Sequence, residues 1–204
     1  MNRLIFPLLL LIACAIGVTA QSGRRINNSA SVPIAPVQPP ANPLPDLQPK
    51  RIAASAGPLM FLPVSVRERE IKAIGSDAFR LDDFHSKVLV INVWASWCGP
   101  CRREVPEYES VRKAYTARNV EFIGLTTEDP QKDVARVTRF LRDVSFGFRL
   151  GWADDEMAEI LMNGRDAIPQ TLVINADGSV IKHWTGYKRG QLKQAVDHAL
   201  LQEQ

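Results

Sequence analysis

The chain is poor in the residues that staple, ligate or span. Among its 204 residues there are three cysteines and three histidines. One close cysteine pair, with the third far upstream, is too sparse a framework for a disulfide-stapled secreted domain. A structural zinc site needs four ligands, and His85, His183 and His198 are too scattered to complete one with the pair. No histidine is therefore given a role, and no metal or other cofactor is expected. Charge of one sign is scarce too. The 25 basic and 22 acidic side chains leave a net +3, and beyond Pro49 no basic run exceeds two residues. That gives no electrostatic footprint for nucleic acid. A glycine-rich nucleotide-binding pattern is missing, so electrons for any redox chemistry would have to come from a partner. The only long apolar run lies at the N-terminus, which excludes a polytopic membrane protein. With 46% hydrophobic and 23% charged residues, whole-chain disorder is excluded as well.

The N-terminal run has the form of an export signal. Met1-Asn2-Arg3 precedes an apolar stretch from Leu4 to Ala13 that continues with little polarity to Ala20. Three fates fit residues 1–20. Val18-Thr19-Ala20 before Gln21 suits a secretory signal peptidase. Leu11-Ile12-Ala13-Cys14 suits a lipobox, with Cys14 lipidated. An uncut run would remain as a short membrane anchor. All three place the rest of the chain outside the cytoplasm, in a bacterial periplasm or cell envelope, and removal or capping of Cys14 leaves a single cysteine pair. Residues 21–58 then read as a linker. Seven of the 14 prolines fall between Pro33 and Pro49, and Asp46 is the only charge between Arg25 and Lys50. So many missing amide donors prevent regular pairing and predict an extended spacer that holds a domain off the membrane.

Residues 59–204 carry the periodicities of one folded domain. Leu59 to Val66 and Arg69 to Ile74 read as short strands, with a brief helical turn at Asp82-Asp83-Phe84. Val88 to Val93 is nearly all apolar and β-branched, as in a strand buried on both faces. Helical spacing follows from Cys101 to Ala117, with Val105, Tyr108, Val111 and Tyr115 on one face. Val120 to Leu125 is a second buried strand. Asp129-Pro130 opens a helix through Val134, Val137, Phe140 and Leu141. Phe146 to Leu150 is a short strand, and Asp154 to Met162 a helix closed by Asn163-Gly164. Thr171 to Ile174 and Val180 to Trp184 flank the turn Ala176-Asp177-Gly178, and a last helix spans Gln191 to Gln202. The alternation predicts an α/β domain with a central mixed sheet flanked by helices.

The chemistry concentrates at one strand-to-helix junction, Val93-Trp94-Ala95-Ser96-Trp97-Cys98-Gly99-Pro100-Cys101. After a buried strand, Cys98 lies at a helix N-terminus, where unpaired amides and the macrodipole favour a thiolate. Cys101, one turn further, is placed to attack the first sulfur. Arg102 follows Cys101, so this is not a covalent haem site. A copper-binding chaperone, holding Cu(I) on the soft thiol pair, is the alternative function from a different class.

Trp97-Cys98-Gly99-Pro100-Cys101 after a buried strand resembles the active site of the thioredoxin superfamily, and Ala167-Ile168-Pro169-Gln170-Thr171 resembles its cis-proline loop. The wider pattern is similar to the exported TlpA-like and ResA-like thiol-disulfide oxidoreductases. It includes Phe79 to Phe84, the Cys98-to-Pro106 spacing C-x-x-C-x-x-E-x-P, and an insertion between Thr127 and Arg165. The resemblance implies a thioredoxin-like fold with an N-terminal strand extension and an inserted helix. It also implies a redox-active Cys98–Cys101 disulfide. Cys98 would attack, forming a mixed disulfide with the substrate, and Cys101 would resolve it. Pro169 would be cis, Ile168 would pair with substrate backbone, and Trp97 would shield one side of the sulfur. Implied partners are protein thiols or disulfides, such as apocytochrome or metal-site cysteines, and a membrane electron donor. Thioredoxins carry an aspartate where this chain has Asn92. Glu104, three residues beyond Cys101 on the same helix, is the expected substitute as proton acceptor. A solvated carboxylate paired with Arg103 or Lys113 is the competing reading.

Overall fold

A computed structural model describes residues 58–202. The expected signal, Cys14 and almost all of the expected linker lie outside the described residues. At the centre is a five-stranded sheet in the order β3-β2-β1-β4-β5. Strand β1 spans Val88–Trp94, β2 Val120–Thr126, β3 Arg149–Trp152, β4 Gln170–Ile174 and β5 Val180–Thr185. β1, β2 and β3 run parallel, while β4 is antiparallel to both β1 and β5. All seven residues of β1 are buried, which explains its unbroken apolar run: both faces of the strand meet other layers.

Four longer helices cover the sheet: α2 (Gly99–Ala114), α3 (Val134–Asp143), α4 (Asp155–Met162) and α5 (Gln191–Gln202). On one face, Leu89, Ile91, Val93, Ile123 and Leu172 pack with Met157 and Leu161 of α4. On the other, Val88, Val90, Phe122 and Val173 meet Tyr108 and Val111 of α2 and Leu192 and Val196 of α5. A third cluster forms at the C-terminal end of β1. There Trp94 packs with Cys98, Cys101, Val105, Val137 and Phe140. The mixed sheet and its helical layers are those expected.

The N-terminal extension joins this frame differently. Only single bridges form, Phe61 with Ser179, Ile71 with Phe79 and Ala73 with Gly151. Neither Leu59 to Val66 nor Arg69 to Ile74 is a continuous strand. Pro63 caps a helical turn, α1 (Val64–Arg67), and its missing N–H ends any ladder there. Helix α3 also starts later than expected, at Val134. Asp129 accepts from Gln131 N (2.7 Å) and Lys132 N (3.1 Å), so it caps a separate turn.

At Gly151 of β3 the extension lies close against the sheet. A Cβ there would sit 2.5 Å from Ile71 Cγ2 and 3.3 Å from the Lys72 carbonyl oxygen. Gly151→Ala is therefore expected to destabilise the domain by about 1–3 kcal/mol through overpacking. Urea denaturation checks this: the midpoint should fall with an unchanged slope.

Candidate active site

The junction between β1 and α2 is built around a sulfur. Cys98 is the N-cap of α2, with extended backbone, and its Sγ accepts from the Cys101 amide at 3.1 Å. Gly99 and Pro100 form the first helical turn; proline fits there because those amides have no helical partner. Cys98 and Cys101 are joined by a disulfide, S–S 2.07 Å. Both residues are buried, Cys98 at 4% exposure and Cys101 at 1%, whereas Trp97 is 63% exposed. The ring of Trp97 therefore stands at the surface. It lines a groove of about 260 Å³ with Thr127, Asp155, Ala158, Met162, Asp166 and Ile168.

The distant loop arrives at the same place. The Ile168–Pro169 peptide is cis. β4 begins at Gln170, in register with Val93, which sets the loop against the end of β1. Ile168 packs on the cluster containing both cysteines. Sequence reasoning missed what holds this loop. The fully buried amide of Gln170 donates to the carbonyls of Arg165 (3.1 Å) and Ala167 (2.9 Å). Its oxygen accepts from His183 Nε2 at 2.8 Å, which places the imidazole proton on Nε2. Burial, assisted by the charge of Arg165, lowers the His183 pKa to about 4, so the ring is neutral near neutral pH. His183 thus anchors the loop.

Glu104 sits one turn beyond Cys101, buried at 1% exposure. It is not the solvated carboxylate of the competing reading. Asn92 Nδ2 donates to its Oε1 at 2.7 Å. Burial pushes the Glu104 pKa up to about 8; the Asn92 hydrogen bond opposes this and the nearby Glu107 charge adds slightly to it. Below the carboxyl, the Tyr108 hydroxyl bonds Thr171, the residue paired with Asn92 across β1 and β4. Burial also raises the Tyr108 phenol, keeping it neutral. A polar core of Asn92, Glu104, Tyr108 and Thr171 therefore ties α2 to β1 and β4 beneath the cysteines. Asn92→Leu removes the donor that favours the ionised carboxyl and is expected to raise the Glu104 pKa further. Infrared titration of the carboxyl band would check it.

A second buried carboxylate, also missed, lies beside the junction. Glu128 accepts from Ser96 N (2.6 Å), Ser96 Oγ (2.7 Å), Thr126 Oγ1 (3.1 Å) and Arg136 Nε (2.8 Å). Its partner Ser96 is 32 residues away in sequence, too far for any local pattern to signal.

The Redoxin family model matches residues 42–199. The thiol-disulfide oxidoreductase ResA of Halalkalibacterium halodurans is 28% identical over 128 residues, covering 62% of this chain and 68% of that protein. ResA of Bacillus thuringiensis subsp. konkukian is 32% identical over 107 residues, 52% of this chain and 59% of that one. Among solved structures, a thioredoxin-family thiol:disulfide interchange protein from Chlorobium tepidum superposes with a TM-score of 0.56 at 23% identity. It covers 65% of this chain and 92% of that one. StoA from Bacillus subtilis superposes at 0.51 and 21% identity, covering 62% and 94%. At these identities the structural likeness speaks for a common thioredoxin-like fold.

Proposed function

Since this chain belongs to the redoxin family, we propose that it is a thiol-disulfide oxidoreductase that reduces protein disulfides outside the cytoplasm. The observation that carries this reading is the Cys98 sulfur at the cap of α2, accepting the Cys101 amide and closed with Cys101 into a disulfide. In the reduced protein, the Cys98 thiolate attacks one sulfur of a substrate disulfide. The substrate S–S bond breaks, a mixed disulfide forms, and the departing substrate thiolate takes a proton. Glu104, as carboxylate, accepts the Cys101 proton; the resulting thiolate attacks Cys98 Sγ and expels the second substrate thiolate. Two electrons pass to the substrate and the protein is left as the Cys98–Cys101 disulfide.

The substrate segment runs along the groove beside Trp97 and pairs with the Ile168 backbone as an added strand, next to Pro169. Because the protein ends oxidised, it needs a dithiol donor, and a membrane protein is the source that fits an exported chain. Residues 1–20 serve as a signal or as a membrane or lipid anchor, and in the anchored forms residues 21–58 are the linker that tethers the domain at the cell envelope. The substrates proposed are the cysteines of apocytochromes or metal sites in their disulfide form, which the reaction returns to thiols.

Equilibration with glutathione tests the direction. A reductase requires a potential near that of thioredoxin, about −270 mV; one near about −120 mV would make the protein an oxidant. Trapping with Cys101→Ala in the cell envelope identifies partners. Mixed disulfides on apocytochromes or metal-site proteins support the substrate assignment, and their absence there rejects it.

A further inference from the structure

We propose that Glu128 is a positioning residue for the nucleophile: its carboxylate holds the Ala95–Trp97 turn so that the Cys98 sulfur stays at the N-cap of α2. The role presupposes the assignment of Cys98 as the attacking thiol and goes beyond it. Three observations carry it. The Glu128 side chain is 2% exposed, and a carboxylate is costly to bury unless its oxygens are met. Here both are. Oε2 takes the Ser96 amide and the Thr126 hydroxyl, while Oε1 takes the Ser96 hydroxyl and Arg136. Ser96 is thus gripped through backbone and side chain together, two residues before Cys98. The turn is closed around this grip: Thr127 N donates to Trp94 O (3.1 Å), and Cys98 N donates to Ala95 O (3.1 Å). Loosening Ser96 would free the segment that sets the direction of the Cys98 side chain.

The charges around the grip separate holding from electrostatics. Arg136, on α3, pairs with Glu128 and also with Asp133 at 2.8 Å. Arg102 lies on the first turn of α2 and pairs with Asp143 at 3.7 Å. Removing the Glu128 charge alone would stabilise a nearby thiolate and speed its reactions. Losing the grip would move the sulfur away from the Cys101 amide and slow them. The two effects have opposite signs.

The test is the pH dependence of Cys98 alkylation in the reduced full chain, mapped by mass spectrometry. Glu128→Ala should raise the apparent thiol pKa by about one unit, slowing alkylation at pH 7 about tenfold. Glu128→Gln keeps an acceptor for the Ser96 amide and the Thr126 hydroxyl and a donor for the Ser96 hydroxyl, and gives up only the acceptor for Arg136. It should react within about threefold of the unsubstituted chain, on the faster side. Arg136→Ala, at a half-exposed position that should not disturb folding, leaves the carboxylate without its cation and should slow the reaction about threefold. If Glu128→Ala melts lower yet keeps the original pH profile, the residue is merely structural and the proposal fails. It fails equally if Glu128→Gln is as slow as Glu128→Ala. An unsubstituted chain whose Cys98 does not react would overturn the nucleophile assignment itself, a different failure read in the same experiment.

Discussion

Replacing Cys98 by serine is expected to lower disulfide exchange by at least about a thousandfold, because a hydroxyl at the helix cap supplies no thiolate at neutral pH. Replacing Cys101 by alanine should lower steady turnover by a similar factor but leave the first chemical step intact. The contrast between the two is the informative part. Cys98 alone receives a backbone amide, that of Cys101 at 3.1 Å, and sits where the α2 macrodipole favours negative charge. Cys101, one turn into α2 and 1% exposed, lies past the N-terminal end of the helix where that charge is favoured most. Rapid quenching with mass spectrometry should therefore show a burst of mixed disulfide on Cys98 in the Cys101→Ala protein and none in Cys98→Ser. Equal bursts from either cysteine would mean that the helix cap does not select the attacking sulfur.

The second large effect belongs to Glu104. Its ordinary value of 4.5 is raised to about 8, chiefly by burial. Between those values the folded chain keeps a proton that the unfolded chain releases. The stabilisation is fully present below pH 4.5 and is lost as pH rises through about 8. The slope is about 1.4 kcal/mol per pH unit. Glu104→Gln, which cannot ionise, should flatten this fall and leave the variant more stable than the unsubstituted chain at pH 9, by on the order of 5 kcal/mol. Its chemistry should move the other way. The rise of the resolving step through about pH 8 should vanish, with at least about a tenfold loss of turnover on the alkaline side. Chemical denaturation across pH and single-turnover resolution of a preformed mixed disulfide measure the two effects separately. A variant with both profiles unchanged would remove Glu104 from the mechanism and return its carboxyl to the role of packing.

Much of the site is legible in the sequence because its signals are local. A buried β-branched strand running into Cys98-Gly99-Pro100-Cys101 fixes a helix cap, and three residues along a helix bring Glu104 onto the face beside Cys101. Pro169 is legible through a motif of similar size. What holds these parts is not, since its contacts join residues far apart in the chain: Ser96 with Glu128, Tyr108 with Thr171, Gln170 with His183. A histidine on a strand is unremarkable until the buried amide opposite it is known to shape the cis-proline loop. The fold shows the same division. Strands β1, β2, β4 and β5 announce themselves through apolar runs and the hairpin turn. The N-terminal extension reads like two strands, but the proline at position 63 caps a helical turn and the extension makes only single bridges.

The most direct measurement is a competition for alkylation between the two sulfurs of the reduced chain at neutral pH, quenched early and mapped by mass spectrometry. Label should accumulate on Cys98 first, with a rate that follows a thiol titrating below the usual value near 8.5. Label appearing first on Cys101, or on both at the rate of an ordinary free thiol, would contradict the assignment of Cys98 as the nucleophile that the helix cap prepares.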